Sequence, residues 1–266
     1  MELICPICKT ALKRMDRCYC CENHHSFDIA RQGYVNLLTV QQKHSLLPGD
    51  TREQVLARRA FLEAGYYAPI ADALIRTAKE YCIGGNLLDI GCGEGYYCTS
   101  LADSLGLNLT GLDISKEAVR CASAKYKGPL WICDTAAHIP VKDHSADLLT
   151  SLFALTLPEE FLRVLKKDGY FFQVLAAQDH LMGLKSIIYD ELILKEKDSQ
   201  PELPGFQRIR SVPIRFSFSL HGEQIRNLFS MTPHVFRISR EGAQRLRNTQ
   251  DLQDTASCIL NVYQPL

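Results

Sequence analysis

No apolar run in the 266-residue sequence is long enough to span a bilayer, and no charged, apolar, small-residue leader opens it. The expectation is a cytoplasmic chain with no membrane partner. Internal repeats and low-complexity tracts are also missing. With 46% hydrophobic and 23% charged residues, the composition is that of an ordinary globular protein. Its length allows one large α/β domain and a small appendage. Nor is this a secreted disulfide scaffold. Eleven cysteines are many, but such scaffolds are short and loop-rich, and this chain is neither. The thiols are therefore expected to be reduced. The scattered ones, Cys82, Cys98, Cys121 and Cys258, are expected to be small buried apolar residues.

Net charge is absent too, since 30 Lys and Arg balance 30 Asp and Glu. That balance conceals a pattern. Residues 1–60 carry +3, residues 61–200 carry −6, residues 201–250 carry +5 and the remainder −2. Two basic segments thus flank an acidic middle, and local basic surface can hold a phosphate backbone when the total is neutral.

What is present begins with "CPICKTALKRMDRCYCCENHH", where five cysteines and two histidines lie between Cys5 and His25. Cys5 and Cys8 form a CxxC knuckle, the usual first half of a zinc ribbon. Residues 17–21 read as the returning strand of a short hairpin. On a strand, alternate residues share a face. Cys18 and Cys20 then face one way, Tyr19 and Cys21 the other. With Cys21 turned to the metal, Cys18 is turned away and His25 returns from the following turn. The preferred ligands are Cys5, Cys8, Cys21 and His25. The four-cysteine set with Cys18 comes second, and Cys20 with His24 repeats the same spacing shifted by one. Such a site is closed, so one structural zinc ion would build a module too small to fold on its own core.

"NLLDIGCGEGYY" supplies the second motif. An apolar strand over 87–90 runs into a turn with Gly91, Gly93 and Gly95, then a helix over 96–105. This is the strand, loop and helix of a nucleotide-binding α/β fold, in which glycines let the backbone approach a ligand. Asp89 sits at the strand end. A second apolar strand, 107–112, ends in Asp113, 22 residues beyond Gly91. A carboxylate there can accept both ribose hydroxyls of an adenosyl ligand. A third strand ends at Cys133 and Asp134, where a carboxylate can meet an adenine edge. The "D-E-x-G" order with two later acidic strand ends resembles the S-adenosylmethionine-dependent methyltransferase fold rather than a nicotinamide enzyme.

Alternation continues downstream. "ADLLTSLFAL" reads as a fourth strand, and residues 158–169 as a helix begun by Pro158 and ended by Gly169. "YFFQVLA" reads as a fifth strand and residues 180–194 as an amphipathic helix. "IRSVPIRFSFSL" reads as an antiparallel partner of the final "ASCILNVYQPL", which closes a parallel sheet. Upstream, Asp50 followed by Glu53 resembles a capping box that starts a helix. That helix carries Val55, Phe61 and Leu62 on one side with Arg58 and Arg59 nearby. With Tyr66 and Tyr67 it can lie over a cofactor pocket as a lid.

The strings "CPIC", "HSFDIARQGYVNLL", "PGDTREQVLARRAFLEAGYYAP", "LDIGCGEGYY", "GLDISK", "HLMGLKSIIYDE" and "MTP" run nearly end to end. On them the sequence closely resembles the bacterial 23S rRNA (guanine-N1)-methyltransferases of the RlmA type. The resemblance implies a Rossmann-like class I S-adenosylmethionine-dependent methyltransferase sheet with a small N-terminal zinc-binding module. It places zinc on Cys5, Cys8, Cys21 and His25, and S-adenosylmethionine against Tyr67, Gly93, Glu94 and His180. The sequence departs from the family in two loops. A proline usually follows an aromatic and a small residue where Phe153, Ala154, Leu155 and Thr156 stand here. A threonine, a proline and a basic residue usually precede the position of His180, where "LAAQD" stands here.

The expected organisation is a zinc-binding RNA-recognition module over 1–38, a linker and lid helix over 39–70 and a methyltransferase domain over 71–266. The expected reaction moves a methyl group to N1 of a guanine in a 23S rRNA hairpin loop. His180 and Asp134 are the candidates for handling the N1 proton. Lys13, Arg14 and Arg17 would grip RNA phosphates, and a homodimer would bring two such heads to one cleft. On this division of labour, losing Cys5 and Cys8 abolishes RNA binding and spares cofactor affinity. The alternatives are a small-molecule methyltransferase with a structural zinc module, and a catalytically silent RNA-binding relative.

Overall fold

A computed structural model describes residues 1–40, 48–81, 84–192 and 198–266. The N-terminal module is a four-stranded antiparallel sheet in the order β1-β2-β3-β4. Its strands are β1 (Leu3–Ile4), β2 (Ala11–Arg14), β3 (Cys18–Cys21) and β4 (Ser26–Asp28). The next strand, β5 (Tyr34–Asn36), leaves the module and pairs in parallel with β8 (Leu130–Cys133). The expected boundary at residue 38 therefore falls beyond a strand that already belongs to the large sheet.

That sheet has eight strands in the order β11-β12-β10-β9-β6-β7-β8-β5. The further strands are β6 (Asn86–Ile90), β7 (Asn108–Asp113), β9 (Ala146–Leu152), β10 (Leu165–Ala176), β11 (Phe206–His221) and β12 (Asp251–Pro265). Pairing is parallel from β10 across to β5 and antiparallel for β10 with β12 and β12 with β11. In β6, Leu87, Leu88 and Ile90 are all buried, as a parallel strand covered on both faces requires. The order reverses at β6, whose neighbours are β7 and β9. Such a switch point opens a crevice at the carboxyl ends of the strands, and ligands bind there.

Helix α1 (Arg52–Glu63) buries Val55, Phe61 and Leu62, as its spacing predicts. Its cap lies one residue later than expected. Thr51 Oγ1 accepts from Gln54 N at 3.3 Å, and Gln54 Oε1 accepts from Thr51 N at 2.9 Å. Asp50 is left to pair with Arg58. Helix α2 (Ala68–Ala78), with Tyr67 as its N-cap, starts before the expected domain edge at 71. Helices α3 (Tyr96–Leu105) and α4 (Lys116–Lys125) pack beside β7 and β8.

Helix α5 (Pro158–Val164) stops five residues short of the expected Gly169. Leu165 is buried and already pairs with Ala146, and Gly169 lies against the Asp147 carbonyl, where a side chain would clash. Helix α6 (Met182–Ile188) is also shorter than expected, and its projected residues 193–194 lie outside the described residues. Helices α7 (Glu223–Ser230) and α8 (Arg240–Asn248) fill the connection between β11 and β12. Of the scattered cysteines, Cys98 and Cys258 are buried, Cys121 is only half-buried, and Cys82 lies outside the described residues. Among the described residues, no helix is long and apolar enough to cross a membrane.

Candidate active site and metal centre

The crevice at the switch point holds a cavity of about 670 Å³. Gly91 N and Cys92 N both donate to Leu112 O, at 2.8 and 3.0 Å, so the glycine turn is tied to the end of β7. Gly91 has φ +74°, and a Cβ there would lie 2.5 Å from Ala154 Cβ. Gly95 has φ +89°, and a Cβ there would lie 2.7 Å from the Trp131 ring. Only glycine suits these two positions, by conformation and by space.

Asp113 orders the turn. Its Oδ2 accepts from Gly93 N and its Oδ1 from Ser115 N, each at 2.8 Å. Every carboxylate oxygen has a second lone pair, so the group can still take ligand hydroxyls. Burial raises its pKa against these two bonds. Asp89 is held by Thr150 Oγ1, which donates at 2.6 Å, and burial lifts its carboxyl to about 6. Glu94 is 2% exposed and lines the cavity, and neither of its oxygens has a partner among the described residues. Burial raises its pKa. An unpaired buried carboxylate is costly unless a ligand supplies donors or positive charge. S-adenosylmethionine carries an ammonium group, a sulfonium and hydroxyls, so the donor set of this cavity fits it.

Tyr67 is buried under α1, with its ring edge-on to Phe61, and its hydroxyl lies 3.5 Å from His180 Nε2. His180 Nδ1 lies 3.1 Å from Ser257 O. Arg58 and Asp50 form an ion pair of 2.7 Å on the cavity wall, and Ser115 Oγ donates to Asp50 O at 2.7 Å. The lid segment is thus pinned to the loop that follows Asp113.

Tyr67, Asp89, Gly91, Gly93, Glu94, Asp113 and His180 line one cavity, and Gly95 supports it from behind. Asp134 does not line it. Its carboxylate is fully buried behind the wall, where Oδ1 accepts from Thr135 N at 2.8 Å and Oδ2 has no partner among the described residues. Burial pushes this carboxyl up to about 7. The wall at this point is made by the next two residues, Thr135 and Ala136. Tyr97, unforeseen from the sequence, also lines the cavity, with its hydroxyl buried and unpartnered among the described residues. Helical spacing from Gly93 could have found it, but the adjacent Tyr96 carries the same signal.

Phe153, Leu155 and Pro233, all exposed, also line the cavity, together with the half-buried His234. Phe153 adopts φ +55° and presents its ring 6.1 Å from that of His180. Leu155 is 64% exposed. Asp179, the acid standing in a loop where the family resemblance implies a basic residue, is ion-paired with Arg215. That neighbour holds its carboxyl below the usual range, together with the Ser257 hydroxyl, which contributes most.

In the ribbon, the Sγ atoms of Cys5, Cys8 and Cys21 and a ring nitrogen of His25 all lie within 4.8 Å of one another. Cys5 Sγ and Cys21 Sγ approach His25 Nδ1 at 3.6 and 3.4 Å, and Cys8 Sγ approaches Cys21 Sγ at 3.6 Å. Tetrahedral zinc with Zn–S near 2.3 Å and Zn–N near 2.0 Å spaces its ligands by about 3.4–3.8 Å. The four residues fit the ion. The side chain of Thr10 chiefly lowers the Cys8 thiol, to about 5, which favours the ligating thiolate. Cys18 and Cys20 turn away together, with their sulfurs 3.4 Å apart, and His24 is exposed.

Comparison with known proteins finds the same two units. The family described as "RlmA, N-terminal", a zinc ribbon, matches residues 3–46, and a methyltransferase domain family matches residues 88–173. The chain is 31% identical to the 23S rRNA (guanine(748)-N(1))-methyltransferase of Streptomyces fradiae, over 99% of this chain and 97% of that protein. It is 29% identical to a putative 23S rRNA (guanine-N(1)-)-methyltransferase of Bacillus subtilis, over 94% and 93%. A putative type II methyltransferase from Anaeromyxobacter dehalogenans shares the fold, with a TM-score of 0.52 at 16% identity over 72% of this chain and 95% of that one. The chain has the class I S-adenosylmethionine-dependent methyltransferase fold joined to a zinc ribbon, and it belongs to the family of 23S rRNA (guanine-N1)-methyltransferases.

Proposed function

We propose that this protein transfers a methyl group from S-adenosylmethionine to N1 of a guanine in a hairpin loop of 23S rRNA, in the cytoplasm. The observation that carries the reading is one cavity with two kinds of lining. Carboxylates and glycines make up one part of it, and the exposed Phe153, Leu155 and Pro233 another. The first suits a cationic adenosyl ligand, and the second suits a flat base. The whole-length similarity to rRNA enzymes supports the same substrate.

Bound S-adenosylmethionine supplies an activated methyl, so the protein's task is chiefly alignment for in-line attack. Gly91, Gly93 and Gly95 let the backbone close on the ligand. Asp113 takes its hydroxyls, and Glu94 takes a donor or the ammonium. Asp89 braces β6 against β9, and Tyr67 closes the wall beneath α1. Guanine N1 lies on the Watson–Crick edge, so the base must enter unpaired or flipped out. Its N1 proton must leave. His180 is the candidate for handling that proton, because its imidazole stands on the cavity wall with Nε2 3.5 Å from the Tyr67 hydroxyl, while Nδ1 lies against the Ser257 backbone, 3.1 Å from its carbonyl oxygen and 3.2 Å from its nitrogen. Asp134 is not a candidate, being sealed behind that wall. Zinc on Cys5, Cys8, Cys21 and His25 would hold the ribbon, whose exposed Lys13, Arg14 and Arg17 would contact phosphates.

The test is incubation of the protein with S-adenosylmethionine and unmodified 23S rRNA, followed by reverse transcription. A methyl on guanine N1 blocks pairing, so a new stop at one loop guanine is expected. Cofactor binding without any stop in 23S rRNA would refute the substrate.

A further inference from the structure

The ribbon does more than hang beside the large sheet. Ile4 N donates to Pro140 O at 3.0 Å, Lys142 N donates to Glu2 O at 3.1 Å, and Leu3 forms a bridge with Val141. Lys142 Nζ adds an ion pair with Glu2 at 3.2 Å. Beneath this clasp, Leu3, Cys5, Leu12 and Cys21 share a single apolar core with Leu112, Ile132, Ile139 and Val141. The chain leaving the ribbon makes a second clamp. Strand β5 pairs with β8, and Leu37 N and Leu38 N both donate to Cys133 O, at 3.0 and 3.1 Å. Between the two clamps run residues 134–139. Their outer members, Thr135 and Ala136, form cavity wall, and Asp134 N is tied to Asp113 O at 3.2 Å.

We propose that the ribbon positions the cofactor, with residues 2–4 clasping residues 140–142 and thereby holding the Thr135 and Ala136 wall in place. This rests on the reading of the cavity as the S-adenosylmethionine site. The physical argument is continuity of packing. Close-packed cores transmit displacement rather than absorb it. Cys5 and Cys21, two of the four metal-site residues, are 0% and 6% exposed within the shared core. Order at the metal site therefore reaches residues 139–141 through direct contact, with Leu3 at the junction. The ribbon and the methyltransferase sheet then cannot be separated into an RNA head and an independent cofactor domain.

The test uses the full chain and leaves every metal-site and cavity residue untouched. Leu3→Ala empties the junction, and Leu3→Met refills it. S-adenosylhomocysteine affinity is measured by calorimetry beside zinc content, amide exchange and steady-state kinetics. Leu3→Ala should keep its zinc, exchange faster over residues 135–142 and bind S-adenosylhomocysteine about ten-fold more weakly, an ordinary size for coupling between sites. The KM for S-adenosylmethionine should rise while kcat at saturation holds, and Leu3→Met should recover most of the loss. Equal affinity in Leu3→Ala and the parent, with faster exchange at 135–142, overturns the clasp alone. A parent protein that binds neither S-adenosylmethionine nor S-adenosylhomocysteine overturns the reading of the cavity itself.

Discussion

The two sheets reach order by different means. Within the first 28 described residues, which end with β4, the buried apolar side chains are Leu3, Cys5, Leu12 and Cys21. The large sheet buries most of β6 and the apolar half of β10, and the cluster of metal-ligating side chains found among the described residues lies in the ribbon. Full burial of an apolar side chain stabilises by roughly 1.5–3 kcal/mol, so four cannot offset the ordering of a hairpin pair. A structural zinc contributes about 10–16 kcal/mol of apparent binding energy in small zinc-finger peptides. The ribbon must therefore be ordered by its metal and by its docking on the sheet, whereas the sheet is ordered by its own core.

The sharpest way to break that contrast is Cys8→Ser. It should release the zinc, raise amide exchange across residues 3–28 to near-unfolded rates and abolish RNA binding. Cys18→Ser should retain the metal, because Cys18 and Cys20 face away from it. Zinc lost from Cys18→Ser and kept by a His25→Ala variant would restore the four-cysteine assignment. On the sheet side the matching lesion is Gly95→Ala. It forces a side chain into φ +89° and against Trp131, a strain of about 1–3 kcal/mol. Cofactor affinity should fall more than about ten-fold by calorimetry, at 1.4 kcal/mol per decade, with zinc content unchanged.

The contrast also explains what the sequence made legible. Strand alternation separates Cys21 from Cys18, and the structure gathers Cys21 with Cys5, Cys8 and His25 while Cys18 lies beside Cys20, because only side-chain parity is needed. Strands β6 to β8 and helix α3 were readable because their apolar runs are punctuated by glycines and aspartates. Helix α5 was overextended, because Leu165 is equally good in a helix and in a strand, and its pairing with Ala146 decides. Asp134 stands off the cavity lining for a related reason. A strand-end acid can face the crevice or the seam behind it, and the local sequence does not decide which. The contacts of residues 2–4 with residues 140–142 were not legible, since nothing local in "MELIC" points to that partner.

Glu94→Gln sharpens the contrast within the large sheet. Both Glu94 oxygens are buried without partners among the described residues, and the neutral amide lowers that desolvation cost. The free protein should therefore melt higher, by the order of 1 kcal/mol of stability. Cofactor binding should weaken by about one to two decades, the worth of roughly 1.5–3 kcal/mol for a hydrogen bond to a charged group. Unchanged affinity would remove Glu94 from the site. A milder effect belongs to the ribbon surface. Replacing Lys13, Arg14 and Arg17 together by Ala should lower the slope of log affinity for RNA against log salt by about 2, at roughly 0.7 per single-strand phosphate. S-adenosylhomocysteine affinity should not move.

The seam behind the cavity wall is tested by pH. The Asp134 carboxyl stands at about 7 in the folded chain, against about 3.9 for an unperturbed aspartate. Between those values the folded state holds a proton that the unfolded state has released. Its contribution to stability is thus complete below about pH 4 and is lost as pH rises through 7, on the order of 4 kcal/mol in all at 1.36 kcal/mol per unit. Asp134→Asn cannot ionise, so it should flatten this part of the stability curve. Urea titrations at pH 5 and pH 8 give the check: the parent should lose more stability between them than the variant does. Equal losses would mean that the Asp134 carboxylate finds its compensating charge when the ribbon docks, and Lys9, the cation that pulls its pKa down, is the residue to replace next.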